Sequence, residues 1–235
     1  MKTLPTENHS GSLVAQLRRW LAEGRYPAGA RLAEETVAQQ LGVSRTPVRL
    51  AFRTLAQEGL LESAGKRGFV VRAFSADDVR CAVEVRGVLE GLAARRLCER
   101  GLDAAERAVF AECLAQGDAL LAKGLLRADD IECWSALNSR FHAALVAGAG
   151  SRVVADAIAR NDHLPFASAD SITFEAERLS GETTKLQIAQ LHHRLIVDAL
   201  LAREGGRAEA LVREHALIGV RYAPLFGLQP VIQSS

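Results

Sequence analysis

The sequence of 235 residues predicts a mostly α-helical protein in two parts, a small one with three helices and two short strands and a larger all-helical one. Three observations lead to this division. Apolar residues recur at helical spacing along most of the chain. Strand-like patterns are confined to residues 60–72. The charge balance also changes near residue 75, since residues 1–74 carry 11 Lys/Arg against 6 Asp/Glu and the rest carries 18 against 22.

The composition is that of a globular protein without a membrane segment. No apolar run approaches the ~20 residues that a membrane helix needs, and residues 1–10 lack the apolar core of a signal peptide. A cytoplasmic location is therefore expected. The four cysteines form no Cys-x-x-Cys pair, and we expect them to be reduced.

Five segments are expected along the chain. They are a disordered lead at 1–10, the small domain at 11–74, a linker at 75–77, the helical domain at 78–226 and a tail at 227–235.

The small domain is predicted to contain three helices followed by a hairpin. Glycine and proline at 24–30 separate the first two helices, and Gly42 permits a tight turn before the third. The predicted elements are helices at 12–23, 34–41 and 44–58 and strands at 60–63 and 68–72. This order is typical of a winged helix-turn-helix.

The third helix has two faces of different chemistry. Its apolar stripe contains Val48, Ala51, Phe52 and Leu55, whereas Arg45, Arg49 and Arg53 lie four apart on another face. Arginines at this spacing also occur on ordinary solvated helices. Here the helix-turn-helix frame and a basic hairpin turn favour DNA in the major groove. The predicted DNA-binding residues are Ser44, Arg45, Thr46, Arg49, Lys66 and Arg67.

A set of matching positions runs through this domain in order. The positions are Pro27, Gly29, Leu32, the run 43–49, Leu55, the run 58–61, Gly65, Gly68, Phe69 and Val70. With them, residues 11–72 resemble the DNA-binding domain of GntR-family bacterial transcription regulators. Leu50 departs from the family pattern, which usually has an acidic residue there.

The larger part is predicted to be an antiparallel helical bundle, because amphipathic helices follow one another with short breaks. A loop is expected at 161–171, and Gly205-Gly206 is expected to end the fifth helix. The predicted helices lie at 77–100, 102–123, 129–147, 151–161, 182–204 and 207–226. Motifs at 85–94 and 138–142, with His193 and His215, resemble the FCD ligand-binding domain of the FadR branch of the same family.

Polar side chains are predicted to point into this bundle. Asn138 and His142 lie four apart on an otherwise apolar stripe, and His215 lies on another. His193 is 12 residues before Gly205 and His215 is nine after Gly206, so at ~1.5 Å per residue the two imidazoles lie at nearly the same level of an antiparallel pair. Buried polar groups of this kind need partners.

A divalent-metal site is one interpretation of these residues. His142, His193 and His215, with Asn138 as an oxygen ligand, suit an ion of the Zn, Ni or Mn class and leave positions open. The resemblance implies such a site, since many family members bind metal through one Asp and three His. Asn138 occupies the Asp position and is a weaker donor. The alternative is a metal-free polar pocket that holds a carboxylate directly.

The identity of the third ligand is ambiguous. Helical periodicity places His192 nearer the buried side than His193, whereas the family pattern selects His193. We adopt His193 and keep His192 as the alternative.

Arg86 and Glu90 lie four apart. They form either an exposed ion pair or a site in which Arg86 clamps a carboxylate effector. The resemblance places an arginine near the effector, so Arg86 is the predicted effector-binding residue.

The resemblance implies a ligand-responsive transcription regulator and not an enzyme. We expect a repressor that binds double-stranded operator DNA as a homodimer, because one recognition helix reads few bases. Its effector is expected to be a small organic acid, and its location the bacterial cytoplasm, at the nucleoid when bound. The alternatives are a DNA-binding protein without effector control and a metal-dependent hydrolase using the histidines. The hydrolase lacks an H-E-x-x-H motif and a carboxylate on the histidine stripes.

Overall fold

The computed structural model describes residues 8–22, 24–65, 68–124, 126–162, 164 and 179–218. Within these ranges the chain is mostly helical, with one small sheet, as the sequence predicts. It divides into two compact units, which meet in the sequence between Ser75 and Ala76. Among the described helices, none combines the length and the apolar composition of a membrane-spanning segment.

The first unit contains three helices and a three-stranded antiparallel sheet. The elements are α1 (Asn8–Ala22), β1 (Arg31–Leu32), α2 (Glu34–Leu41), α3 (Arg45–Gln57), β2 (Leu61–Ser63) and β3 (Phe69–Val71). The strands lie in the order β1-β3-β2, so Arg31-Leu32, where no strand is predicted, is an edge strand paired with β3. Phe52 of α3 packs edge-on against Phe69 of β3, with ring centroids 5.5 Å apart.

Helix α1 starts earlier than the sequence pattern suggests. It begins at Asn8, inside the stretch expected to be a disordered lead. Extending an existing helix by a turn costs far less than starting one, so the helix can continue beyond its amphipathic part. Residues 1–7 lie outside the described residues.

The second unit is a bundle of six helices in the described ranges. They are α4 (Ala76–Arg100), α5 (Ala104–Leu121), α6 (Ala128–Gly148), α7 (Arg152–Asn161), α8 (Leu179–Leu201) and α9 (Gly205–Ala216). Its core is built on fully buried side chains such as Phe110, Trp134, Phe141 and Ile196. Of the loop predicted at 161–171, Asn161 ends α7 and most of the remainder lies outside the described residues, as does the tail at 227–235.

Two boundaries differ from expectation. Helix α4 includes two of the three residues expected to form the linker 75–77, because Asp77 and Asp78 favour a helix N-terminus. Gly205 and Gly206 begin α9 and do not end α8, since the break falls at Ala202–Glu204, where Arg203 has a φ of 60°. Gly205 instead allows close packing on α4, because a Cβ there would lie 3.2 Å from Cγ of Arg95.

All four cysteines are free thiols in the structure. Cys98 and Cys113 are buried, and burial raises the pKa of both thiols.

Candidate functional site

Helix α3 presents the arginine face that the sequence predicts. Val48, Phe52 and Leu55 are fully buried against the first unit's core. The side chains of Arg45 and Arg49 are 60% and 48% exposed. One face of α3 is therefore packed in the core, and the opposite face is exposed to solvent. The arginines on the exposed face are accessible to a ligand.

The remaining predicted DNA-binding residues are only partly described. Ser44 is the N-cap residue of α3 and is exposed, but its side chain makes no capping hydrogen bond. Thr46 in the first turn is also exposed. Lys66 and Arg67 lie outside the described residues, between the paired strands β2 and β3.

A carboxylate that sequence reasoning missed lies beside the arginines. Glu34, at the start of α2, accepts hydrogen bonds from Nε of Arg49 at 2.9 and 3.0 Å and from Nη2 at 2.8 Å. Nη2 of Arg45 lies 3.8 Å from the same carboxylate. The hydrogen bond from Arg49 lowers the pKa of Glu34, and the charges of Arg49, Arg45 and Arg53 act in the same direction.

The second unit contains a cluster of three buried histidines. His142 of α6, His193 of α8 and His215 of α9 are 4%, 1% and 6% exposed. One ring nitrogen from each lies within 4.8 Å of the others. The Nε2 atoms of His142 and His215 are 3.2 Å apart, and the ring centroids of His193 and His215 are 4.7 Å apart. The helix spacing therefore brings together the three histidines that the sequence selected.

Several imidazole nitrogens in this cluster have no hydrogen-bond partner in the described part of the chain. They are Nδ1 and Nε2 of His193 and Nδ1 of His215. An unpaired buried polar group costs roughly 1–3 kcal/mol, so such an arrangement needs a reason. Burial lowers the pKa of His193 and His215 well below the usual value, and the neighbouring histidines act in the same direction. Both rings are neutral and have lone pairs available for a cation.

Aromatic packing fixes the ring of His193. It stacks on Phe141 with centroids 4.1 Å apart and on Trp134 at 6.0 Å. Asn138 is one helical turn before His142 and only 2% exposed, so both enter the bundle from the same face of α6. Imidazole nitrogens with an amide oxygen beside them are donors that fit a divalent cation of the Zn class.

A carboxylate reaches the cluster from a different helix. Nδ1 of His142 donates to Oε2 of Glu90 on α4 at 2.9 Å. Nε of Arg86 lies 3.8 Å from the other oxygen of Glu90, and the two side chains are 10% and 3% exposed. The exposed-ion-pair interpretation of Arg86 and Glu90 is thus wrong, because the pair is buried beside the histidines.

Glu90 remains ionised although its side chain is buried. Burial alone would raise the pKa of this carboxyl, but its electrostatic interactions with His142 and Arg86 and the hydrogen bond from His142 outweigh that effect and lower the pKa. Sequence reasoning missed the Glu90–His142 contact because the partners are 52 residues apart. The sequence feature that could have drawn attention to Glu90 is its i,i+4 spacing from Arg86.

His192 lies outside the cluster. It is half-buried, and its ring centroid is 5.9 Å from that of His215. Helical periodicity favours His192 only if the side of α8 that carries polar residues such as Gln190 faces solvent. Gln190 is in fact 3% exposed and donates to the Leu114 carbonyl at 2.8 Å, so α8 is buried on that side as well.

Comparison with known proteins gives the same division into two domains. Residues 10–71 match the bacterial regulatory proteins of the gntR family, and residues 81–217 match the FCD domain. The "Probable D-xylose utilization operon transcriptional repressor" of Paenarthrobacter nicotinovorans is 34% identical over 195 residues, which cover 83% of this chain and 80% of that one.

Two further similarities agree with this result. An HTH-type transcriptional regulator in the TAR-I ttuE-ttuC' intergenic region of Agrobacterium vitis is 36% identical over 131 residues, covering 56% of this chain and 75% of that one. The structure of E. coli McbR/YncC shares the fold, with a TM-score of 0.60, 19% identity and coverage of 93% and 96% of the two chains. The chain therefore belongs to the GntR family of bacterial transcription regulators, with an FCD domain after its DNA-binding domain, and it is not an enzyme.

Proposed function

We propose that this protein is a transcription repressor whose affinity for operator DNA is set by a small carboxylate that binds at a divalent metal ion in the FCD domain. One observation carries the proposal: three buried histidines place ring nitrogens within 4.8 Å of one another, and both ring nitrogens of His193 and Nδ1 of His215 have no hydrogen-bond partner among the described residues. Repression is supported by the name of the Paenarthrobacter relative.

In this proposal His142, His193 and His215 hold the ion, and the amide oxygen of Asn138 is a further ligand. The ion supplies open coordination positions for a carboxylate oxygen. Arg86 lies beside the same cluster, where its guanidinium binds the effector carboxylate.

Control of DNA binding requires a coupling between the two domains. The proposed active species is a homodimer, in which the effector changes the placement of two winged helices on the two half-sites. Couplings of this kind typically change affinity about 5- to 150-fold. The protein acts on operator DNA in the bacterial cytoplasm, at the nucleoid. The alternative without effector control leaves the buried histidines unexplained.

A thermal-shift screen tests this function. Chelator-treated protein is combined with Zn²⁺, Ni²⁺ or Mn²⁺ and then with small carboxylates. We expect one of the metals to raise the melting temperature, and a carboxylate to raise it further only when the metal is present. Stabilisation by a carboxylate without any metal would instead support the metal-free pocket.

Replacement of Arg49 by alanine is expected to weaken operator binding by roughly 1–3 kcal/mol, because an arginine fork can hold two acceptors of one base. The measurement is a gel-shift titration with a duplex that the wild-type protein selects from a random library. Arg19→Ala is the matched control, since it removes an exposed positive charge from α1. Unchanged operator affinity in Arg49→Ala would remove this residue from the DNA interface.

Replacement of Glu90 by glutamine is expected to lower metal affinity about 10- to 100-fold. Glu90 fixes the proton of His142 on Nδ1 and so leaves Nε2 free to bind an ion. Competition with a metallochromic chelator gives the affinity. The control is Glu99→Gln on the same helix, where the side chain is 66% exposed. Equal metal affinity in the two variants would show that Glu90 does not orient the ligand.

A further inference from the structure

Glu34 contacts Arg49, one of the predicted DNA-binding residues, and this contact indicates a role for Glu34 in DNA recognition. Glu34 is the first residue of α2, where the helix dipole favours a carboxylate. Its side chain is 15% exposed, so it is held among its neighbours and does not move freely in solvent. The guanidinium of Arg49 binds it through Nε and Nη2, which fixes the plane of the group.

This geometry leaves part of Arg49 available to DNA. Nη1 and the second hydrogen of Nη2 are not used in the contact with Glu34. The Arg49 side chain is 48% exposed. A guanidinium with one edge fixed by the protein presents its other donors in a defined direction, which suits a base edge better than a mobile charge does.

The charge of Glu34 has a second consequence. Contacts with phosphates are attractive for every DNA sequence and supply most nonspecific affinity. A carboxylate between Arg45 and Arg49 repels phosphates at this place. It therefore weakens complexes that use these arginines as simple positive charges, whereas an arginine aligned on the correct base recovers the loss.

We propose that Glu34 is a specificity-determining residue that positions Arg49 for base reading and penalises nonspecific phosphate contacts at the same arginines. The role rests on the proposed placement of Arg49 in the DNA interface. Glu34 thus adds a carboxylate of α2, the helix that supports α3, to the DNA-binding surface of α3.

The test compares Glu34→Gln with Glu35→Gln. Glu35 is the next residue of α2 and is exposed, so both variants remove one negative charge from the same helical turn. Affinities are measured for the full-length proteins on a duplex selected by the wild type and on a scrambled duplex of equal length. Thermal unfolding of each variant reports its stability.

In Glu34→Gln we expect the affinity for the scrambled duplex to rise several-fold and the selected-to-scrambled ratio to fall about tenfold. The log–log salt slope on scrambled DNA should steepen by about 0.9, as one more phosphate is neutralised. Glu35→Gln should change both affinities in parallel and keep the ratio. An unchanged ratio in Glu34→Gln would overturn the proposal.

Two further variants separate the positioning of Arg49 from the charge of Glu34 and test whether Glu34 acts through Arg49. Glu34→Asp keeps the negative charge but is too short for the same two-point contact, so the ratio should fall without a gain on scrambled DNA. In an Arg49→Ala background, Glu34→Gln should leave the ratio unchanged. A fall of equal size in that background would show that Glu34 does not act through Arg49. If Arg49→Ala alone keeps full operator affinity, the placement of Arg49 in the interface fails instead.

Discussion

His193→Ala is expected to abolish the stabilisation of this protein by a divalent metal, whereas His192→Ala is expected to keep it. The ring of His193 is 1% exposed and stacked on Phe141, and its nitrogens have no hydrogen-bond partner in the described part of the chain. A metal ion present at 100 times its Kd adds about 2.7 kcal/mol to the stability of the state that binds it. For a domain of this size that is roughly 5–10 °C in melting temperature.

The measurement is the difference between melting temperatures with and without metal, taken for each variant separately. This difference cancels the cost of removing an aromatic ring from the core. Retention of the full metal shift in His193→Ala, with its loss in His192→Ala, would reverse the ligand assignment.

The chelator-treated protein is expected to lose stability as the pH falls below about 6.5, the ordinary pKa of histidine. Burial lowers the pKa of His193 and His215 in the folded state, so the unfolded chain binds protons that the folded protein does not. The stability contributed by these two groups is therefore present above pH 6.5 and decreases on acidification. Each contributes a slope that approaches about 1.4 kcal/mol per pH unit, or about 2.7 for both.

Urea unfolding of the metal-free protein between pH 7 and pH 5 measures this slope. This window lies above the range in which Glu34 and Glu90, whose pKa values are lowered, take up protons. His215→Ala should reduce the slope by about half, because one of the two buried groups is removed. Stability that does not change over this range would show that the cluster is already protonated or solvated.

The parts of the structure that follow from local pattern were predictable. The stripe Val48, Phe52 and Leu55 defines the buried face of α3 whatever packs against it, and the same stripe sets the direction of the arginines. The similar positions of His193 and His215 along α8 and α9 followed from their distances to the break between these helices, because an antiparallel pair folds back at the break.

The contacts that tune both sites were not predictable in this way. Glu90 reaches His142 across 52 residues and Glu34 reaches Arg49 across 15, and no periodicity in either helix records such tertiary partners. The choice of His193 over His192 depended on the family pattern, since α8 is buried around more of its circumference than an amphipathic surface helix. Because Gln190 is buried, the polar residues of α8 do not identify the side of this helix that faces solvent.

The metal stoichiometry of the full-length protein decides whether the histidine cluster binds a metal ion. Chelator-treated protein is titrated with Zn²⁺, Ni²⁺ and Mn²⁺ in a calorimeter, and the metal retained after gel filtration is measured by elemental analysis. We expect one tightly retained ion per chain for at least one of these metals, and loss of that ion in a variant lacking His142, His193 and His215. If no metal is retained and none of the three gives a heat of binding, the cluster is not a metal site.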